Sequence, residues 1–381
     1  MNAVYLDHNA TTPVADVVLE AMLPYLRQHY GNAASRQTFG TLALRAIDQA
    51  REQVAQAVGV RPVQVIFTSG GTEANNLFVA GAAACLRPSQ IGVSAIEHPC
   101  IAKPAAALAR QGWTCRRIAV DRDGCLDRED LEAALSHQTG IVSVMLANNE
   151  TGTLQPVARA AERARSQGTV THTDAVQALG KVPLDFGKLG VDAMTLSAHK
   201  IYGPKGAGAL IVDKRLQLRP MLLGGGHERG MRSGTLNVPA IVGFGAACEL
   251  AVARLADMSR RMRALRDRLE AGLQELGAVI FGARAERLPN TTYFALHGIE
   301  GETLVVEMDR AGYAVASGAA CSSASPEPSA TLVAMGVDAE LARGAVRVSL
   351  GDSTHAAEVE GFLGSLQRTA QRLRGLAAVT A

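Results

Sequence analysis

The 381 residues exceed what a single hydrophobic core usually holds, so two domains are expected. Hydrophobic residues at 48% and charged residues at 19% exclude a disordered chain. The balance of 38 Lys+Arg against 36 Asp+Glu, net +2, offers no basic surface for nucleic acid or for a membrane. Met1 to Asp7 lacks a basic segment followed by an apolar one, so no signal peptide is read and the cytoplasm is the expected compartment. The apolar runs stay short of the about 18 residues that a span needs. The six cysteines show no C-x2-C spacing, which argues against a structural zinc site. Five of them sit among apolar or ordinary turn residues and read as inert, and Cys321 stands apart.

In chain order, strands are expected over 63–68, 91–94, 141–146, 169–172, 193–196 and 207–212. Helices are expected between them over 42–58, 104–111, 128–135 and 157–167. This alternation predicts an α/β fold with a mainly parallel, covered sheet, whose ligand lies beyond the carboxyl ends of the strands. A long helix over 239–276 follows. Strands over 290–296, 315–316 and 345–350, with helices over 301–311 and 356–376, then read as a smaller α+β domain. The division expected is a large domain over 14–254 and a small one formed by 1–13 and 255–381.

Four motifs carry chemistry. In Thr68-Ser69-Gly70-Gly71-Thr72-Glu73-Ala74-Asn75-Asn76 an apolar strand enters a Gly-Gly turn and then a helix. Free N–H groups and the positive dipole end at such a helix start suit a phosphate; alone, the turn is more often only a plain strand-to-helix connection. In Thr171-His172-Thr173-Asp174-Ala175-Val176-Gln177 an acidic residue ends a buried strand, which is costly without a partner. A protonated pyridine nitrogen is one such partner, and a helix N-cap is the plainer alternative. In Ser197-Ala198-His199-Lys200-Ile201-Tyr202-Gly203-Pro204 a lysine just past a strand is placed to form a Schiff base, and Ser197 and His199 can donate to a phosphate. In Ser317-Gly318-Ala319-Ala320-Cys321-Ser322-Ser323 a cysteine lies among small residues on a loop, where it is either a travelling thiolate or a surface cysteine of no consequence.

Taken together, these residues resemble the NifS/IscS-type cysteine desulfurases of the class V aminotransferase family. The similarity runs through Tyr5 to Thr12, Gly31 to Ser35, Glu97-His98, Asn148-Asn149-Glu150, Gly224 to Thr235 and Arg347 to Gly351. It implies the PLP-dependent transferase fold, aspartate aminotransferase-like, and pyridoxal 5'-phosphate held covalently on Lys200. It further implies Asp174 at the pyridinium nitrogen, Gln177 at the ring hydroxyl, His98 stacked on the ring and handling a proton, and Asn149 near substrate and ring oxygen. Gly71, Thr72, Ser197 and His199 are implied as the phosphate site, with Thr235 reaching in from a second subunit of a homodimer. Asn32 and Arg347 are implied as binding the carboxylate of L-cysteine. Cys321 is implied to take the sulfur as a persulfide and to pass it to an iron–sulfur scaffold or another acceptor protein. No metal is implied at the catalytic centre, although Cys321 can transiently touch a nascent iron–sulfur cluster. The sequence departs from the family pattern with Ala33 where Pro is common and Ala330 where His is common. It also stops at Ala381 without the longer tail of some IscS-like members, which leans towards a NifS-like role. The alternatives are a selenocysteine lyase, a plain class V aminotransferase, and a non-catalytic sulfur carrier or scaffold.

Overall fold

The structure, a computed structural model, describes residues 3–135, 138–317 and 328–380. Thirteen strands lie among these residues: β1 (Val4–Tyr5), β2 (Val65–Thr68), β3 (Gln90–Ser94), β4 (Thr114–Ile118), β5 (Thr139–Ser143), β6 (Val170–Asp174), β7 (Ala193–Ser197), β8 (Gly208–Val212), β9 (Val279–Ile280), β10 (Thr291–Ala295), β11 (Tyr313–Ala314), β12 (Ala316–Ser317) and β13 (Ala345–Ser349). Seven form one sheet in the order β2-β8-β7-β6-β5-β3-β4. Only β8 runs against the others in that sheet. Helices α1 (Asp16–Arg27), α2 (Thr38–Ala57), α3 (Gly71–Ala83), α4 (Pro99–Ala107), α5 (Arg128–Ala134), α6 (Val157–Ser166), the single-turn α7 (Phe186–Leu189) and the start of α8 (Val238–Glu275) accompany it. Both faces are covered, so the inner strands are buried along their length rather than at alternate residues. β7, Ala-Met-Thr-Leu-Ser, is buried at every position.

Here the sequence-based expectation and the structure differ in instructive places. β4 was not expected, because Thr-Cys-Arg-Arg-Ile at the sheet edge keeps four of its five residues at least partly in water and carries no apolar run. Val63 and Gln64 belong to a 3-10 turn capped by Arg61 rather than to β2, because Pro62 cannot donate to a ladder. Helix α1 escaped notice, since its exposed Val17, Leu19 and Leu26 blur the apolar face.

A second sheet, β12-β13-β10-β9, is antiparallel. The helices α9 (Gly301–Arg310), α10 (Ala330–Ala334), α11 (Ala339–Arg343) and α12 (Ala356–Thr380) accompany it. Its core joins Phe294, Val346, Val348 and Phe362 with Met262, Leu265, Leu269 and Leu273 of α8. The other end of α8 supplies Val238, Ile241, Phe244 and Ala247 to the core under the large sheet. One unbroken 38-residue helix therefore serves both cores. Part of α8 is apolar enough to cross a membrane by length and composition, although no unbroken run of apolar letters announces it, and 44% of that stretch is buried within the protein. Small residues let α8 pack closely on α2: at Gly245 an added Cβ would lie 2.7 Å from the Ala50 Cα.

A buried ion pair pins the loop ahead of α8. Arg51 of α2 meets Glu228 in a fork, at 2.8 and 2.7 Å, and also donates to the Val65 carbonyl. Glu228 accepts in addition from the Phe67 N–H at 2.8 Å, and the Arg51 guanidinium lies 4.7 Å from the Phe67 ring centroid. Glu228 and Arg229 hold φ of 48° and 57°, a region unfavourable to side-chain-bearing residues. The pair over-determines that conformation. Replacing Glu228 with Gln leaves a buried guanidinium half-compensated and is expected to cost about 3 kcal/mol. Denaturant unfolding checks this, and a loss below roughly 0.5 kcal/mol, the level of an ordinary surface change, would show that the pair does not hold the loop.

Candidate active site

The pocket lies beyond the carboxyl ends of five parallel strands, where open α/β sheets bind ligands. β2 leads to Gly71 and Thr72, β3 to His98 and Cys100, β5 to Met145 and Asn149, β6 to Asp174, Val176 and Gln177, and β7 to Ser197, His199 and Lys200. Asn9 and Ala10 close it from the N-terminal segment, and Arg347 enters from β13 of the smaller sheet. Together they surround about 380 Å³. Ten residues picked out from the sequence, Gly71, Thr72, His98, Asn149, Asp174, Gln177, Ser197, His199, Lys200 and Arg347, thus share one cavity.

Asp174 ends β6 with 6% exposure. Its Oδ2 accepts from the Asn75 side chain at 2.7 Å and its Oδ1 from the Val176 N–H at 3.0 Å. Both donors are neutral, so a carboxylate buried at this depth lacks the compensation a positive group would give it. The Val176 bond is the local turn contact expected of an Asp at this point.

Lys200 ends a single 3-10 turn that leaves β7. Its Nζ donates to the carbonyls of Asn9 at 2.6 Å and Ala10 at 2.7 Å. Ser197 is 1% exposed, and its Oγ finds no hydrogen-bond partner among the described residues. It faces the start of α3, where Gly70 takes φ 157° and Gly71 lies so close to Val176 that an added Cβ would stand 2.9 Å from its methyl group. A helix N-terminus that no Cβ crowds at Gly70, and an unsatisfied hydroxyl facing it, together make an anion site. His199, bonded through Nδ1 to the Thr11 hydroxyl at 3.1 Å, is pushed down to about 4 by burial and then by Lys200, Lys205 and Lys181. It is therefore a neutral imidazole in this site.

His98 caps α4. Its Nδ1 accepts the Cys100 N–H at 3.2 Å and meets the Cys100 sulfur at 2.8 Å. Accepting at Nδ1 assigns the ring proton to Nε2. Burial lowers the His98 pKa, Asp174 opposes that shift, and Lys200 adds to it. Cys100 itself accepts from Asn75 at 2.9 Å, and burial followed by Asp174 raises its thiol to about 12. It is inert as a nucleophile, as the sequence suggested, yet it stands in the pocket wall, which the sequence did not suggest.

Arg347 is 3% exposed and already engaged. One terminal nitrogen donates to Asp7 Oδ1 at 2.6 Å and the other to the Asn149 carbonyl at 3.0 Å, while its Nε has no partner among the described residues. A carboxylate ligand would share this guanidinium with Asp7. Asn32 and Thr235 lie outside the cavity of their own chain. Both are exposed, and the Asn32 Oδ1 accepts from the Ala34 N–H at 3.0 Å. Cys321 lies outside the described residues. Sequence reasoning missed Asn9, Asn75, Cys100 and Lys181; the available signal for Asn75 was an amide inside an apolar helix, at a position that is 0% exposed.

The family described as aminotransferase class-V matches residues 4–362. A protein named cysteine desulfurase 2, from Trichormus variabilis, is 43% identical over 381 residues, covering 99% of this chain and 95% of its own. A solved NifS-like protein superposes with a TM-score of 0.92 at 38% identity, over 97% of this chain and 99% of its own. A solved structure described as SspA in complex with cysteine does so with 0.81 at 31% identity, over 91% and 98%. The chain belongs to the class-V aminotransferase family, whose cofactor is pyridoxal 5'-phosphate. The donor set fits that group: a buried carboxylate that forms no ion pair among the described residues, a lysine amine, and an anion site with a hydroxyl unpartnered among the same residues.

Glu97, beside His98, is held by the Ser94 hydroxyl and the Met145 N–H through one oxygen, and its other oxygen has no partner among the described residues. Burial raises its carboxyl from 4.5 to about 8, against the Ser94 bond, with Asp174 adding to the rise. The folded state therefore holds this proton more tightly than the unfolded chain. The stabilisation is complete below pH 4.5 and is lost as pH rises through about 8. Glu97→Gln mimics the protonated carboxyl. The wild type is expected to lose stability relative to this variant between pH 5 and 8, by an amount on the order of a few kcal/mol. Parallel pH-unfolding curves for the two proteins would contradict this.

Proposed function

We propose that the protein is a cysteine desulfurase that converts L-cysteine to L-alanine and leaves the sulfur as a persulfide on Cys321. The observation that carries this reading is the convergence of Lys200, Asp174 and an anion site with the orphaned Ser197 hydroxyl in one pocket of a class-V chain whose full-length relatives bear that name.

Pyridoxal phosphate, when bound, supplies an electron sink for the charge left on the substrate α-carbon. Gly71 and Thr72 at the start of α3, with Ser197 and His199, would hold its phosphate. Asp174, oriented by Asn75, would hold the proton of the ring nitrogen and thereby gain the positive partner that its burial demands. His98 would cover the ring and offer its Nε2 proton. Lys200 accepts the α-proton, and its contacts with the Asn9 and Ala10 carbonyls mark where the freed ammonium is stabilised. Arg347 shares its guanidinium between Asp7 and the substrate carboxylate, near Asn149; the family resemblance assigns Asn32 to the same carboxylate. The Cys321 thiolate attacks the substrate sulfur: the S–S bond forms, the Cβ–S bond breaks, and the three-carbon remainder takes protons to become alanine.

The same reading makes the protein a homodimer in which Thr235 reaches the partner's phosphate site. Its exposure, and that of Met221, Leu222 and Leu223 on the same loop, support this, Leu223 being 82% exposed. The persulfide passes to an iron–sulfur scaffold or another acceptor protein in the cytoplasm. The large unit of 14–254 and the small unit of 1–13 with 255–381 meet within α8.

Purified protein supplied with L-cysteine and a thiol reductant is expected to show a visible absorption band and to release sulfide and alanine. Cys321→Ser is expected to keep the band and to lose sulfide release by about a thousandfold or more, the scale on which a nucleophile acts. Sulfide release that survives in Cys321→Ser would assign the thiol role elsewhere, and alanine formation without it would favour an aminotransferase.

A further inference from the structure

Lys181 was not singled out by any motif, and it does not line the cavity that holds the ten expected residues. It lines a smaller one, of about 40 Å³, on the other side of Lys200. Its amine is half-buried and has two close acceptors: the Gln177 Oε1 at 2.7 Å and the Asn9 Oδ1 at 3.0 Å. The Gln177 Nε2 in turn donates to the Asn9 carbonyl at 2.9 Å, the same carbonyl that accepts from Lys200 at 2.6 Å. The Asn9 amide is fixed by four partners. Lys181 and Asn290 donate to its oxygen, and its nitrogen donates to the Asn149 carbonyl and the Thr291 hydroxyl.

A side-chain amide presents an oxygen at one end and an NH2 at the other, and only its neighbours decide which end faces where. An amine nitrogen with N–H groups aimed at two oxygens settles the matter for Gln177. Its oxygen turns to Lys181, so its NH2 is the end an acceptor atom in the pocket can engage. The flipped amide would set N–H against N–H. This logic holds for either charge state of Lys181, since the neutral amine still has two N–H bonds for its two acceptors. Burial, then Lys200 and Arg347, lower its pKa well below the ordinary lysine value.

We infer that Lys181 is a positioning residue for the cofactor: acting through Gln177, it fixes that side chain with its donor end towards the bound group. The inference rests on the pyridoxal phosphate reading. Lys181 itself does not touch the group.

The test is a double-mutant cycle on cofactor binding. The wild type, Lys181→Met, Gln177→Ala and the double variant are stripped of cofactor. Each is then titrated with pyridoxal phosphate, following the visible band and its wavelength. Lys181→Met is expected to bind about tenfold more weakly and to shift the band, the scale of one lost hydrogen bond. In the Gln177→Ala background the same change is expected to alter affinity by less than about twofold, the cycle's usual scatter. If the two losses multiply instead, Lys181 acts through its charge or its packing and the inference fails. Thermal unfolding of the stripped proteins runs alongside. Should Lys181→Met not fold, Lys181→Gln, which keeps an N–H donor, is expected to bind within about threefold of the wild type, since one donor is retained. A folded Lys181→Gln that binds tenfold more weakly overturns the inference. A wild type that takes up no cofactor overturns the functional reading instead.

Discussion

Asn9 is the joint on which the site depends. Its backbone N–H donates to the Ser349 hydroxyl, its carbonyl receives Lys200 and Gln177, and its side chain joins Lys181 and Asn290 on one end to Asn149 and Thr291 on the other. Residues that follow strands β5, β6 and β7 of the large sheet and residues in or beside strands β10 and β13 of the small one thus meet at a single amide with 1% exposure. Buried polar networks of this kind specify one arrangement because any shift strands several donors at once. The reactive lysine takes its place within that arrangement.

Around this joint the electrostatics divide by strand. On the side of Asp174 the groups are neutral or acidic: Asn75, a Cys100 thiol that stays protonated, and Glu97 with its raised pKa. On the side of Lys200 they are basic, with Lys181 half-buried beside it and Arg347 within its field. A ligand with a positive ring nitrogen at one end and an electron-rich oxygen and a carboxylate towards the other matches that polarity. This is the complementarity expected of a group bound across the pocket.

Much of this was legible in the sequence, for reasons that differ from residue to residue. The inner strands β3, β6, β7 and β8 were legible because short β-branched and apolar stretches alternate with helical patterns. Asp174 was legible because an acidic residue ending a buried strand needs a partner, and Lys200 because it stands just past a strand in company with the other motifs. The edge strand β4 was hidden because its identity comes from pairing with β3 and not from its own composition. Lys181 and Asn9 were hidden for another reason. Their contacts span 172 residues, and nothing in the local pattern of either segment records the other. The place of Cys100 in the pocket wall was not legible, because a small thiol near a helix start looks the same in a core as in a pocket wall.

The distance in sequence between the parts of the joint has a consequence for how the protein comes into being. Asp7 waits for Arg347, and the Leu6 carbonyl waits for the Ser349 N–H, partners that leave the ribosome some 340 residues later. Chains fold as they emerge, N-terminal parts first. The large sheet can close around Asp174 and Lys200 while β13 is still being made, but residues 6–9 cannot be fastened on both sides until then. The lysine pocket therefore gains its last wall only after β13 has been made. A chain cut short before Ala345 would carry every residue of the strand ends and still lack the partners that hold Asp7 and Asn9 against them.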